Sequence, residues 1–228
     1  MTTGPYREIT TERELRELIA PPNPVVHTKS TDRFGPLERA WIGRSPFCVL
    51  ATSGTDGSCD VSPRGDPPGF AHVLGDRLLA LPDRPGNRRA DSWRNLLGNP
   101  RVALMFVVPG RGDTLRVNGR GRLVTGAPFL AGMAHRGHVP ALALLVEPEE
   151  IYFHCAKSFL RAALWDPDSW DPEAVPSRAR IARATEWTDV PLAALEERYG
   201  PRYARQLYGT PSADRTTERA TDPTSEGS

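Results

Sequence analysis

Between residues 47 and 155 the chain breaks into short apolar or alternating runs separated by turns rich in glycine, proline and aspartate, and only one segment there carries a helical period. Such runs leave no room for the long crossovers that parallel strands require. They predict a small antiparallel barrel. Residues 47–52 form an apolar strand, Gly54-Thr55-Asp56-Gly57 a turn, and residues 58–62 resume in alternation, giving a hairpin. Residues 71–74 and 77–81 flank Gly75-Asp76 as a second hairpin. Residues 87–97 predict the helix, capped by Asn87 and stopped by Gly98-Asn99-Pro100, with Ala90, Trp93, Leu96 and Leu97 as its buried stripe. Runs at 102–108, 114–124, 141–146 and 151–155 bring the total to about eight strands.

Helical patterns flank this region. Residues 10–20 place Leu15, Leu18 and Ile19 on one face behind a threonine cap, and a second helix carries Leu37, Ala40, Trp41 and Ile42 up to Gly43. Residues 157–165 predict a helix stopped by Asp166-Pro167, followed by helical patterns at 177–185 and 192–208. Residues 211–228 lack any large apolar side chain, which predicts disorder. The reading is therefore a mainly β protein with peripheral α, divided into an N-terminal helical extension (1–44), a split barrel (45–167), a C-terminal helical extension (168–208) and a disordered tail (209–228).

Charge excludes a global field: 29 basic residues against 28 acidic ones leave a net charge of +1, so nucleic acid and anionic membrane surfaces are not expected partners. Any anion site must be local. All basic residues except Lys29 and Lys157 are arginines, a bias that genome composition alone produces. Cys48, Cys59 and Cys155 form no CxxC pair or disulfide framework and read as buried free thiols. The first residues carry no basic and apolar leader pattern, and no apolar run nears 18 residues, so a soluble, cytoplasmic protein is expected.

Asp60-Val61-Ser62-Pro63-Arg64-Gly65-Asp66 lies where a strand leaves the barrel, with a hydroxyl, a guanidinium and glycine-freed backbone N–H groups. Farther on, Asn87-Arg88-Arg89 opens the predicted helix, where cations repel the N-terminal dipole unless an anion sits between them. At helical spacing Arg88, Ser92 and Asn95 share one edge, suited to follow a phosphate and its attached sugar chain. His135-Arg136-Gly137-His138 pairs two histidines across a loop with no third metal ligand nearby, and His27 and His72 have no partner in sequence, so no metal site is expected. No nucleophile elbow, P-loop or GxGxxG is present. Trp41, Trp93 and Trp165 lie at apolar helix positions and read as packing residues.

The run Leu81-Pro82-Asp83-Arg84-Pro85-Gly86-Asn87-Arg88-Arg89-Ala90, continued by Asn95-Leu96-Leu97-Gly98-Asn99-Pro100-Arg101-Val102, resembles the cofactor-phosphate segment of the pyridoxamine 5'-phosphate oxidase-like, FMN-binding split-barrel family. Asp60 to Gly65 and Thr114-Leu115-Arg116-Val117-Asn118-Gly119 match it in the same order, so the resemblance covers residues 45–167. It implies a homodimer of split barrels holding two FMN molecules at the subunit interface. It also implies that Arg64 with Arg88 or Arg89 binds the phosphate, that Ser62, Pro63 and Gly65 line the flavin, and that Pro82 lies against it. Thr114, Arg116 and Asn118 are then contributors near the ring or from the second subunit. The stretch His154-Cys155-Ala156-Lys157-Ser158, with Arg161 and Trp165, resembles a further motif of an uncharacterised subgroup. Lys157 and Arg161 are one turn apart, and a cation near flavin N1 raises the reduction potential by stabilising the reduced anion. Lys157 and Arg116 are the catalytic candidates.

The vitamin B6 enzymes end in a strand with an arginine motif that grips the substrate phosphate, whereas this chain continues into helices and a polar tail, so vitamin B6 is not the expected substrate. The resulting expectation is an FMN-dependent oxidoreductase exchanging hydride at flavin N5 with a small organic substrate. The alternatives are a flavin- or haem-binding module without turnover and a reductase using the deazaflavin F420.

Overall fold

A computed structural model of the chain describes residues 6–25, 29–201, 203, 207 and 208. Seven strands form one sheet: β1 (Phe47–Ser53), β2 (Cys59–Gly65), β3 (His72–Gly75), β4 (Leu78–Pro82), β5 (Arg101–Val107), β6 (Thr114–Val124) and β7 (Ala143–His154). Their order is β2-β1-β5-β6-β7-β4-β3, and every neighbouring pair is antiparallel. The period-2 alternation of β1 and β5 sends Cys48 and Leu50, and Val102, Leu104 and Phe106, to the inside. Leu79 and Leu81 of β4, at the far end of the strand order, enter the same cluster of buried side chains. The sheet is thus curled about one core and split between its unpaired edges, β2 and β3.

Strand β4 and the first four residues of β7 read as continuous apolar runs because both faces are covered. Leu144 and Val146 face the core, while Ala80, Ala143 and Leu145 pack under Leu130 and Met133 of the 3₁₀ helix Pro128–Met133. Among the described residues, three α-helices lie before or within the barrel. Helix α1 (Glu12–Leu18) is closed by a capping box between Thr11 and Glu14, and α2 (Pro36–Arg44) buries Ile42. Helix α3 (Asp91–Gly98) sets Trp93 and Leu96 into the core. After the barrel come α4 (Lys157–Arg161), α5 (Arg178–Thr185) and α6 (Leu192–Arg198). The last two pair around Ala179, Ala182 and Leu195.

Several expectations shift. The runs at 141–146 and 151–155 are one strand, β7, so the strands number seven. The register slips between Asn118 and Gly119, where Pro148, which has no N–H, is accommodated. Gly119 is required there, since a Cβ would lie 2.1 Å from the Glu147 carbonyl oxygen. The central helix starts at Asp91, because Arg88 and Ala90 adopt left-handed backbone (φ 60° and 56°) that a helix cannot contain. Arg88 and Arg89 therefore precede it, and Asn87 is not its cap. The helix expected over 157–165 ends at Arg161, and Trp165 lies in the following turn with its Nε1 donating to the Arg111 carbonyl at 2.7 Å. The pattern at 192–208 is helical only to Arg198. Helix α1 buries none of its residues. Only Cys48 is buried; Cys59 and Cys155 are exposed. His27 and the expected tail at 209–228 lie outside the described residues. Among those residues, no helix is long and apolar enough to cross a membrane.

Candidate functional site

A cleft of about 680 Å³ runs along β2 from Asp60 to Gly65, walled by the segment from Pro82 to Ala90 and by the first turn of α3. Inward pull on β2 is weak, as it is an edge strand whose residues are exposed or half-buried, and this leaves Ser62, Pro63 and Arg64 free to line the groove.

Arg64 organises one end. Its guanidinium stacks on the Trp93 ring, with Cζ 4.3 Å from the centroid, and Nη2 donates to Ser92 Oγ at 3.1 Å. Ser92 Oγ in turn donates to Asp60 Oδ2 at 2.6 Å, and Trp93 Nε1 donates to Asp83 Oδ1 at 3.1 Å. Burial lowers the Arg64 pKa, and the carboxylates of Asp83 and Asp60 pull it back. Arg64 Nε is left buried and without a hydrogen-bond partner. An unsatisfied donor on a desolvated cation is costly by about 1–3 kcal/mol, which points to a ligand oxygen as its intended partner.

The loop supplies further cations. Arg88 and Arg89 both line the cleft, and the two left-handed residues at 88 and 90 hold the loop in a conformation of the kind found at ligand sites. Arg89 Nε donates to Asp91 Oδ2 at 2.7 Å, and this contact, chiefly its hydrogen bond, raises the Arg89 pKa. The guanidinium of Arg89 is thus already engaged by a carboxylate, in a way the sequence did not indicate. On the facing segment, Arg84 Nε donates to Asp66 Oδ2 at 2.5 Å and Nη2 to the Met133 carbonyl at 2.7 Å, leaving Nη1 buried and unpartnered. The Tyr208 hydroxyl donates to Asp66 Oδ1, and burial, with that contact second, pushes the Tyr208 pKa up to about 12.

Of the residues singled out from sequence, Ser62, Pro63, Arg64, Gly65, Pro82, Arg88, Arg89 and Ser92 converge on this cleft. Asn95 faces a neighbouring groove of about 510 Å³ and donates to Thr52 Oγ1 at 3.1 Å. Thr114, Arg116 and Asn118 lie on β6, outside the cleft: Thr114 is buried, Arg116 Cζ is 5.3 Å from the Tyr152 ring centroid, and Asn118 Nδ2 donates to Glu150 at 2.8 Å. Lys157 and Arg161 sit exposed at the two ends of α4. Sequence reasoning read Trp93 as a packing residue, which it is, but missed that it is also the platform for Arg64, and it passed over the Arg84–Asp66 pair. Asp66 adjoined the noted motif, but nothing in the spacing revealed its partner.

The fold and cleft define a mainly β split barrel with an arginine-lined groove at one edge. The family model described as pyridoxamine 5'-phosphate oxidase matches residues 36–155, and the chain belongs to that family, though nothing identifies it with the vitamin B6 enzyme specifically. Solved structures similar to it include HupZ of Group A Streptococcus, at 15% identity over 53% of this chain and 93% of that one, with a TM-score of 0.43. Others are an FMN-binding protein from Syntrophomonas wolfei (12%, 51% and 83%, TM-score 0.41) and the haem storage protein HutZ from Vibrio cholerae (18%, 51% and 91%, TM-score 0.38). No curated protein sequence matches significantly.

Proposed function

We propose that the cleft holds FMN and that the chain is an FMN-dependent oxidoreductase acting on a small organic molecule. The observation that carries this reading is Arg64: a cation buried against Trp93, braced by Ser92 and Asp60, with one N–H left over beside a groove of ligand size. Those residues fit a phosphate monoester, which offers several anionic oxygens to a guanidinium fork. Arg88, Arg89 and the first turn of α3 add cationic and N–H character to the same end. Ser62, Pro63 and Gly65 on one wall and Pro82 on the other would flank the flavin body, their low profile leaving room for a planar ring.

When bound, the flavin supplies two-electron exchange with a substrate at N5, which is why the site needs no nucleophilic triad. The chain's part is to grip the phosphate, orient the ring and set local charge. Outward-facing Val49 and Ala51 of β1 pair with Met105 and Ala103 of β5, and those with Arg116 and Asn118 of β6, so an apolar band runs into a polar margin. In our reading a second copy covers this band, giving a homodimer in which Arg116, Asn118, Lys157 and Arg161 act across the interface, while the buried Thr114 supports β6 from within. A cation held there by Lys157 or Arg116 would stabilise the reduced flavin and raise its potential.

The test is to purify the protein, record its absorbance before and after reduction under nitrogen, and determine the mass of the released cofactor. A yellow chromophore that bleaches, recovers in air and has the mass of FMN is expected. A deazaflavin or haem mass, or a colourless protein that takes up no FMN when supplied, overturns the reading.

A further inference from the structure

The two ends of the cleft are built separately. Asp60 anchors the Ser92–Arg64 end and Asp66 anchors Arg84; six residue steps of extended chain separate these carboxylates, about 20 Å along β2 and its continuation. Asp66 keeps the strand's course, its N–H donating to the Pro46 carbonyl at 3.0 Å. Arg64 stands between the two carboxylates in the chain, two residues before Asp66, so the two arginines have separate anchors on one wall of the cleft. Arg84 is prepared as carefully as Arg64. Asp66 is almost wholly buried behind it, with one oxygen on Arg84 and the other on the Tyr208 hydroxyl, and the Met133 carbonyl fixes a second edge of the guanidinium. What remains is the Nη1 amino group, with two N–H donors and no partner, on a residue that lines the groove.

We propose that Arg84 is an anion-binding residue for the substrate, taking a carboxylate or phosphate oxygen in the cleft through donors separate from those of Arg64, with Asp66 and Tyr208 as its positioning residues. This rests on the flavin reading for the word substrate, although anion binding at Arg84 can be measured without it. An arginine so fixed presents its remaining donors in a set plane, which favours an anion of defined placement over diffuse attraction.

The experiment is calorimetric titration of the purified protein with benzoate and with phenyl phosphate, against benzamide as neutral control, with flavin content measured separately. Arg84→Gln alone would strand Asp66 as a buried lone charge, so the principal variant is Arg84→Gln combined with Asp66→Asn; Arg84→Lys tests the fork with the charge retained. We expect the wild type to prefer at least one of the anions over benzamide by about tenfold or more, the double variant to lose that preference, and both to hold equal flavin. Which anion is preferred separates a carboxylate from a phosphate substrate. Absence of preference in the wild type, its persistence in the double variant, or loss of flavin along with it would overturn the assignment, the last by giving Arg84 to the cofactor. A wild type that takes up no flavin but prefers the anion through Arg84 would sink the flavin reading and keep the site.

Discussion

Replacing Arg64 by methionine separates ligand binding from folding at one residue. In the ligand-free protein the change removes the stacking on Trp93, worth about 0.5–2 kcal/mol, and the hydrogen bond to Ser92. It also removes the orphaned Nε, whose burial costs about 1–3 kcal/mol, and the desolvation of the cation itself. These terms oppose each other, so the thermal midpoint of the apoprotein should move little, by no more than about 1 kcal/mol equivalent. Ligand affinity has no such offset. A charge-assisted contact to phosphate contributes about 1.5–3 kcal/mol, so the dissociation constant for FMN should rise roughly 10- to 150-fold. The assay is quenching of flavin fluorescence on titration with apoprotein, run beside Arg89→Ala, whose guanidinium is exposed and already held by Asp91. Arg89→Ala should lose less. If Arg89→Ala abolishes binding while Arg64→Met binds as the wild type does, the phosphate belongs to the loop, and the argument from the unsatisfied donor is wrong.

Two further outcomes follow from geometry away from the cleft. Gly119→Ala places a methyl carbon into the Glu147 carbonyl at the β6–β7 bulge, a backbone clash that no rotamer relieves; we expect a loss of more than about 3 kcal/mol, seen as insoluble protein or a strongly depressed midpoint, while Gly43→Ala, with open space around it, should change little. His72 has its pKa lowered from the ordinary 6.5 by burial first and by Arg84 second, so the folded state resists its protonation. Its contribution is therefore complete above that value and is lost as pH falls through the acid range below it. Denaturant titrations should show a pH slope that sets in as pH falls below 6.5 and that His72→Gln flattens; an unchanged slope would remove His72 from that account.

The barrel was legible because strand patterning is a local property. The alternation in β1, β5 and β6 depends only on neighbours in sequence, as does the β3–β4 hairpin. Its turn nevertheless falls on Asp76 and Arg77, one residue later than the Gly75-Asp76 read from sequence, and Gly75 stays in β3. What escaped was set by distant contacts. The break at Glu147-Pro148-Glu149-Glu150 reads as a turn in one dimension, yet the opposing Gly119 lets one strand pass through it. The start of α3 was misplaced for a related reason. Asn87 and the arginines after it look like a cap and first turn, but the left-handed backbone at Arg88 and Ala90 delays the helix to Asp91.

That delay reorders the site. With Arg88 and Arg89 in the first turn, the helix dipole would demand an anion to offset them. With Asp91 as the first helical residue, the dipole already has its carboxylate, and Arg89 is bound to that same group. The demand for a ligand passes instead to residues whose polar atoms the protein leaves unmatched: Arg64 on β2, whose Nε faces no acceptor, and Arg84, whose Nη1 faces none. Both arginines lay within motifs visible in the sequence, but a motif gives residue type and spacing, whereas an unpaired donor is defined only once every neighbouring acceptor has been placed. Phosphate recognition in this cleft is therefore expected to centre on the strand and its tryptophan platform, with the arginine loop as a complement.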